Sequence, residues 1–147
     1  MAMKSILVLT PDSETITTLK QAFGDRFEIE AVLSLHECLI CFAKKRRELT
    51  FIEISYLTEA AGGGLTSIEH FKEVLGQFRE LFVTAPLLVM GPPSESKNLA
   101  RSVQAGANRF LSTPLEPEAL LLATDLLKQS QLQESELDYL RRHVWLV

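Results

Sequence analysis

The stretch Glu48-Leu49-Thr50-Phe51-Ile52-Glu53-Ile54-Ser55 constrains the fold more than any other part of the chain. A basic cluster, Lys44 to Arg47, precedes it, and a loop ending in Gly62-Gly63-Gly64 follows. A short, nearly continuous apolar run of this kind reads as a strand covered on both faces, the mark of a parallel sheet's interior. Glu53 interrupts the run near its carboxyl end, where open α/β sheets place ligands and chemistry. A carboxylate there must be solvated, paired or protonated. The surroundings of Glu53 therefore decide what the chain can do.

The rest of the chain repeats the theme. Lys4 to Thr10 is a buried strand stopped by Pro11, and Asp12 or Ser13 can cap a helix running to about Phe23 with Ile16, Leu19 and Phe23 on one face. Phe27 to Val32 alternates apolar and acidic residues like a half-exposed edge strand. Ser34 with Glu37 is a capping-box pattern opening a helix to about Arg47. After the central strand and a loop from Tyr56 to Leu65, Thr66 with Glu69 repeats that pattern before a helix carrying Ile68, Phe71, Val74, Leu75 and Phe78. Pro86 to Gly91 is a buried strand. Pro92-Pro93 forces an extended turn, and Ser94 opens a helix through Leu99 and Val103 that stops at Gly106. Arg109 to Ser112 is a fifth strand, and Thr113-Pro114 leads into a last helix. Five strands alternating with five helices predict an α/β domain over residues 1–128, built on a doubly wound five-stranded parallel sheet. Its loops after the first, third, fourth and fifth strands should meet at one crevice.

From about Glu118 the last helix can run on to Val147 without a Pro or Gly to break it. Leu126, Leu137, Leu140, Val144 and Val147 mostly follow three- and four-residue steps, and the intervening residues 128–135 are too polar for a core. Residues 129–147 thus form a helical extension that either folds back or, as preferred here, pairs with a second copy to make a homodimer.

Composition narrows the function. At 147 residues, 46% hydrophobic and 23% charged, the chain suits one globular domain with a short appendage. A net charge of -4 leaves no overall nucleic-acid footprint, and Lys44-Lys45-Arg46-Arg47 is expected to be a solvated helix end. No apolar run approaches membrane-spanning length, and the early first strand leaves no room for a signal peptide, so a cytoplasmic protein is expected. Cys38 and Cys41 form a C-x-x-C inside a helical pattern, which favours buried structural cysteines over redox or metal chemistry. His36, His70 and His143 also lie in helical patterns, with no nucleophile and base at recognisable spacing. No enzyme activity, metal or cofactor is expected. The Gly62-Gly63-Gly64 loop could cradle an anion at a helix start, but it lacks the lysine and spacing of a phosphate loop and reads as a flexible connection.

Ile6-Leu7-Val8-Leu9, Gly106-Ala107-Asn108-Arg109-Phe110-Leu111 and Ser112-Thr113-Pro114 resemble the receiver (CheY-like) domain of bacterial two-component response regulators. The resemblance covers roughly residues 4–128 and implies a flavodoxin-like strand order 2-1-3-4-5. It also implies a site. The acidic pair expected after the first strand falls on Thr10 and Pro11, with Asp12 one step later. The phosphoacceptor aspartate falls on Glu53, the Ser or Thr after the fourth strand on Gly91, the lysine of the last loop on Thr113, and the switch aromatic on Phe110. Residues 131–141, with Glu136, Leu140 and Arg141 in a Glu-x-x-x-Leu-Arg arrangement, resemble the linker helix of NtrC-type sigma-54-dependent activators. That likeness implies a longer parent with an output domain.

Phosphoryl transfer to a carboxylate needs a divalent cation held by clustered acids. Proline offers no ligand, threonine only a neutral oxygen, and Asp12 is equally explained as a helix cap. Thr113 brings no positive charge and Gly91 no hydroxyl. A degenerate pseudo-receiver follows from the resemblance. Glu53 is then a mimic of a phosphorylated aspartate, a solvated carboxylate at a strand end, or an unconventional phosphoacceptor. The chain as a whole is a dimerisation module of a transcription regulator, a stand-alone adaptor binding a protein around Phe110 and the fourth helix, or a ligand sensor using Glu53, Asp12 and the glycine loop.

Overall fold

Each run read as a strand in the sequence becomes one. In the computed structural model, which describes residues 4–58 and 65–127, β1 (Ser5–Leu9), β2 (Glu28–Val32), β3 (Leu49–Glu53), β4 (Leu87–Gly91) and β5 (Arg109–Ser112) form one parallel sheet ordered β2-β1-β3-β4-β5. The connecting helices are α1 (Ser13–Phe23), α2 (Leu35–Lys44), α3 (Ile68–Leu81), α4 (Ser96–Gln104) and α5, helical over residues 117–127 of the described chain. The extension 129–147, with Leu137, Leu140 and Val144, and the Gly62–Gly64 loop lie outside the described residues.

The period of two along each central strand divides the interior into two cores. Leu7, Leu9, Ile52, Leu87 and Val89 point to one face, where Cys38 and Phe42 of α2, Phe71, Leu75 and Phe78 of α3, and Leu99 of α4 cover them. Ile6, Val8, Leu49, Phe51, Leu88 and Met90 point to the other, under Leu19 and Phe23 of α1 and Leu120, Ala123 and Leu127 of α5. Phe42 anchors the first core, meeting Phe78 and Phe82 edge-to-face at centroid distances of 5.0 and 5.5 Å. The edge strand β2 is covered far less, as its alternating acidic residues anticipate.

Two capping patterns hold. The Asp12 side chain accepts from the Glu14 N–H at the start of α1, and Ser34 accepts from the Glu37 N–H at the start of α2. On α1, however, Thr15 is buried with Leu19 and Phe23, while Ile16 is only half-buried. Two expected helix starts move. The cap of α3 is Ser67, which accepts from the His70 N–H, because Thr66 is drawn toward α4: its N–H donates to Asn98 Oδ1 and its carbonyl accepts from Arg101. Ser94 does not cap α4. Pro92-Pro93 leads into a 3-10 turn over Pro93–Glu95, and the Glu95 carboxylate accepts from Asn98 Nδ2.

The basic run is also corrected. Helix α2 ends at Lys44, and Arg47 is not solvated but 2% exposed. Its guanidinium donates to Glu30 Oε2 at 2.6 Å, to Ser5 Oγ at 3.3 Å and to the Cys41 carbonyl at 2.8 Å. The chain turns directly from α2 into β3, and that reversal carries the arginine under the edge strand. There a buried cation needs a partner, and Glu30 supplies it. Both cysteines are buried free thiols, as expected, and burial pushes Cys38 up to about 12.

The Arg47 hydrogen bond holds the Glu30 carboxyl below its ordinary range, against an opposing push from burial. A carboxylate whose folded pKa is depressed contributes stability above its unfolded pKa and loses it as pH falls through the folded value. Glu30→Gln should cost about 1–2 kcal/mol at neutral pH. This is less than the ~3–5 kcal/mol of a fully buried pair, since the Glu30 side chain is 41% exposed. Urea denaturation should show the gap between wild type and variant closing as pH falls below the ordinary glutamate range; a gap independent of pH contradicts this role.

Candidate functional site

The sheet register assembles the site. Leu9 pairs with Ile52, Glu53 with Met90, and Gly91 with Ser112, so Thr10, Glu53, Gly91 and Thr113 lie at or just beyond the carboxyl ends of neighbouring strands. The period of two also puts Thr10 on the face of Ile6 and Val8, and Glu53 on the matching face of Leu49 and Phe51. Both side chains therefore emerge beside α1.

They meet there. The Thr10 hydroxyl donates to Glu53 Oε2 at 2.8 Å and accepts from the Asp12 N–H at 3.1 Å. Thr10 is 1% exposed, whereas Glu53 is half-buried and keeps water on its outer side. The Asp12 carboxylate is committed to its own helix: Oδ1 accepts from the Glu14 N–H at 3.2 Å and Oδ2 from the Thr15 hydroxyl at 2.8 Å. Pro11 is exposed and contributes no donor atom. After Glu53 the chain enters a 3-10 turn over Ile54–Tyr56, and the Tyr56 hydroxyl donates to the Leu33 carbonyl at 2.9 Å. Burial, and secondarily the Glu53 charge, push the Tyr56 phenol up.

The far side of the crevice is apolar and closed. A Cβ on Gly91 would lie 2.5 Å from Ile54 Cγ2 and 3.5 Å from Leu99 Cδ2. Ile54 thus fills the space that a side chain at 91 would enter. The Thr113 N–H donates to the Gly91 carbonyl at 2.8 Å, and the Thr113–Pro114 bond is cis. Phe110 lies on the outer strand β5 with 41% of its surface exposed. A polar cleft of about 320 Å³ opens beside the crevice between α1 and Pro114-Leu115, lined by Asp12, Glu14, Thr18 and Gln21 among others.

The structure therefore brings Glu53, Thr10 and Asp12 together, places Gly91 and Thr113 across the crevice, and leaves Phe110 on the outer strand. The magnesium ion that the resemblance implies does not fit this donor set. Asp12 is occupied by the α1 cap and Glu53 by Thr10, and among the described residues no group of three His, Cys, Asp or Glu side chains is placed to hold a metal. Sequence reasoning missed Ile54 and Tyr56, and it treated Thr10 only as a lost ligand. Register and the period of two could have revealed the Thr10–Glu53 pairing. The filling by Ile54 leaves no such signal.

Gly91→Ser should destabilise the fold by about 1–3 kcal/mol through overpacking. Gly91→Ser with Ile54→Ala should cost less than the sum of the two single changes, because the second opens the space that the first needs. Strict additivity in denaturant melts would show that position 91 and Ile54 do not compete.

No protein-family profile matches the chain, and no curated protein matches it either. Solved structures do. NtrX from Brucella abortus aligns with 93% of this chain at 16% identity and a TM-score of 0.69, and this chain spans only 29% of that longer one. The chemotaxis response regulator CheY4 of Vibrio cholerae aligns with 86% of the chain at 18% identity and a TM-score of 0.64, over 99% of its own length. A CheY-like response regulator receiver domain protein from Methanospirillum hungatei aligns with 90% at 18% identity and a TM-score of 0.65, over 99% of its length. The fold of this chain is that of the response-regulator receiver domain.

Proposed function

We propose that this chain is a pseudo-receiver, a regulatory module that acts through protein contacts and takes no phosphoryl group. One observation carries the reading: the carboxylate at the phosphoacceptor position is engaged by a neutral hydroxyl, Thr10, in a crevice where position 113 is threonine and position 91 glycine. Among the described residues, no acidic cluster for a metal lies beside Glu53, and threonine stands where a lysine would neutralise a phosphoryl group's oxygens. Glu53 is then a solvated, hydrogen-bonded strand-end carboxylate. The crevice performs no catalysis and uses no cofactor.

The module works as a homodimer in the cytoplasm, pairing through α5 and the extension 129–147, and it sets the arrangement of an output domain in a transcription regulator of the NtrC type. The resemblance of residues 131–141 to a linker helix supports this, as does a surface of Leu122 and Leu126, 61% and 37% exposed, on α5. Among the described residues no helix is long and apolar enough to cross a membrane. The adaptor reading rests on Phe110: an exposed ring on an outer strand suits a protein partner docking against β5 and α4. A native gene extending past Val147 into an ATPase or DNA-binding domain favours the module; one that stops there favours the adaptor.

Incubation with acetyl phosphate and magnesium should leave the intact mass unchanged, and beryllofluoride should leave the amide spectrum unchanged; a phosphoryl adduct on Glu53 would overturn the reading. Removing the residues after Lys128 should convert a dimer into a folded monomer by light scattering. A truncated form that still dimerises tightly locates the interface elsewhere.

A further inference from the structure

We infer that the Thr10 hydroxyl stands in for a divalent cation: it bridges the carboxyl ends of β1 and β3 and makes the crevice self-contained. The inference rests on the pseudo-receiver reading and deepens it, by naming the residue that replaces the metal. A cation between two strand ends does two things: it neutralises a carboxylate and it fixes two loops relative to each other. Thr10 does the second outright and part of the first. Its single O–H is spent on Glu53 and one of its lone pairs on the Asp12 N–H, so one buried hydroxyl ties β3 to the first residues of α1. The neighbouring junctions are closed by protein groups as well. The Thr10 N–H donates to the Val32 carbonyl, Tyr56 to the Leu33 carbonyl, and the Thr113 N–H to the Gly91 carbonyl. Every loop described at this end of the sheet is thereby bonded to a neighbour. A metal ion held by Asp12 and Glu53 would have to share Glu53 with Thr10 and pull Asp12 from the α1 cap, against the ~1 kcal/mol that such a cap contributes.

A carboxylate at position 10 reverses the logic. It cannot donate to Glu53, it repels Glu53 and Asp12, and the three acids together form an oxygen cluster suited to a hard cation. Thr10→Asp should therefore be destabilised without metal and stabilised by it.

The test uses the full chain, in wild type, Thr10→Val, Thr10→Asp, and Thr10→Asp with Glu53→Gln. Manganese is added during amide NMR, and thermal melts are run with and without magnesium. Wild type should show no localised manganese broadening and no magnesium-dependent melting temperature. Thr10→Asp should show broadening confined to residues near Asp12 and Glu53 together with a rise in melting temperature on adding magnesium, and the double variant should lose both. Thr10→Val keeps the shape and removes the bridge, so the Asp12 amide should exchange about tenfold faster, as loss of one hydrogen bond predicts. Unchanged exchange in Thr10→Val, or a folded Thr10→Asp that ignores both metals, overturns the inference while leaving the pseudo-receiver reading intact. Localised broadening in wild type overturns the inference directly, and a phosphoryl adduct in wild type overturns the reading beneath it. Should Thr10→Asp fail to fold with or without metal, the Thr10→Val exchange rate alone decides.

Discussion

A strand packed on both faces leaves a charged side chain nowhere to go but its ends. In β1, β3 and β4 the apolar residues alternate between two separate cores, so a charge within these strands would have to be buried in hydrocarbon. Glu53 escapes because it is the last residue of β3, and Thr10 because it is the first after β1. Register then decides which polar ends face one another. The contact between Thr10 and Glu53 is thus a consequence of the packing, and the character of the crevice follows from it.

A crevice at a sheet's carboxyl end can be held together by a ligand or by itself. Here the bonds run between protein groups, and the space that a side chain at 91 would take is occupied by Ile54. Glycine at 91, threonine at 113 and an Asp12 turned to its own helix are separate features of the sequence, yet all three sit at the same end of the sheet. Internal closure also bears on motion. A site that needs a ligand to join its loops has two states, with and without it, whereas one already joined has lost that lever.

Much of the architecture was legible because it obeys local rules. The five strands, the Asp12 and Ser34 caps and the end of α4 follow from apolar runs, short polar side chains and the stop at Gly106, whose φ of 133° suits a residue without a Cβ. What escaped depends on contacts distant in sequence. Ser67 caps α3 in place of Thr66 because Asn98 and Arg101 hold Thr66 from another helix. Arg47 reads as one more member of a basic run until β2 brings Glu30 over it. The residue types at the site could be read directly, but their connections could not. A threonine counted as a missing acid proved to be the residue on which the others converge.

The opposite end of the molecule has its own keystone. The guanidinium of Arg79, on the last turn of α3, donates to the carbonyls of Val83, Ala85 and Gly106 and to Asn108 Oδ1, which also accepts from the Leu87 N–H. One side chain thus ties the chain entering β4 to the turn entering β5. The base of the sheet is held by contacts separate from those at its top. That separation lets residues at the top of the sheet differ without loosening the joint between α3, β4 and β5 at its base.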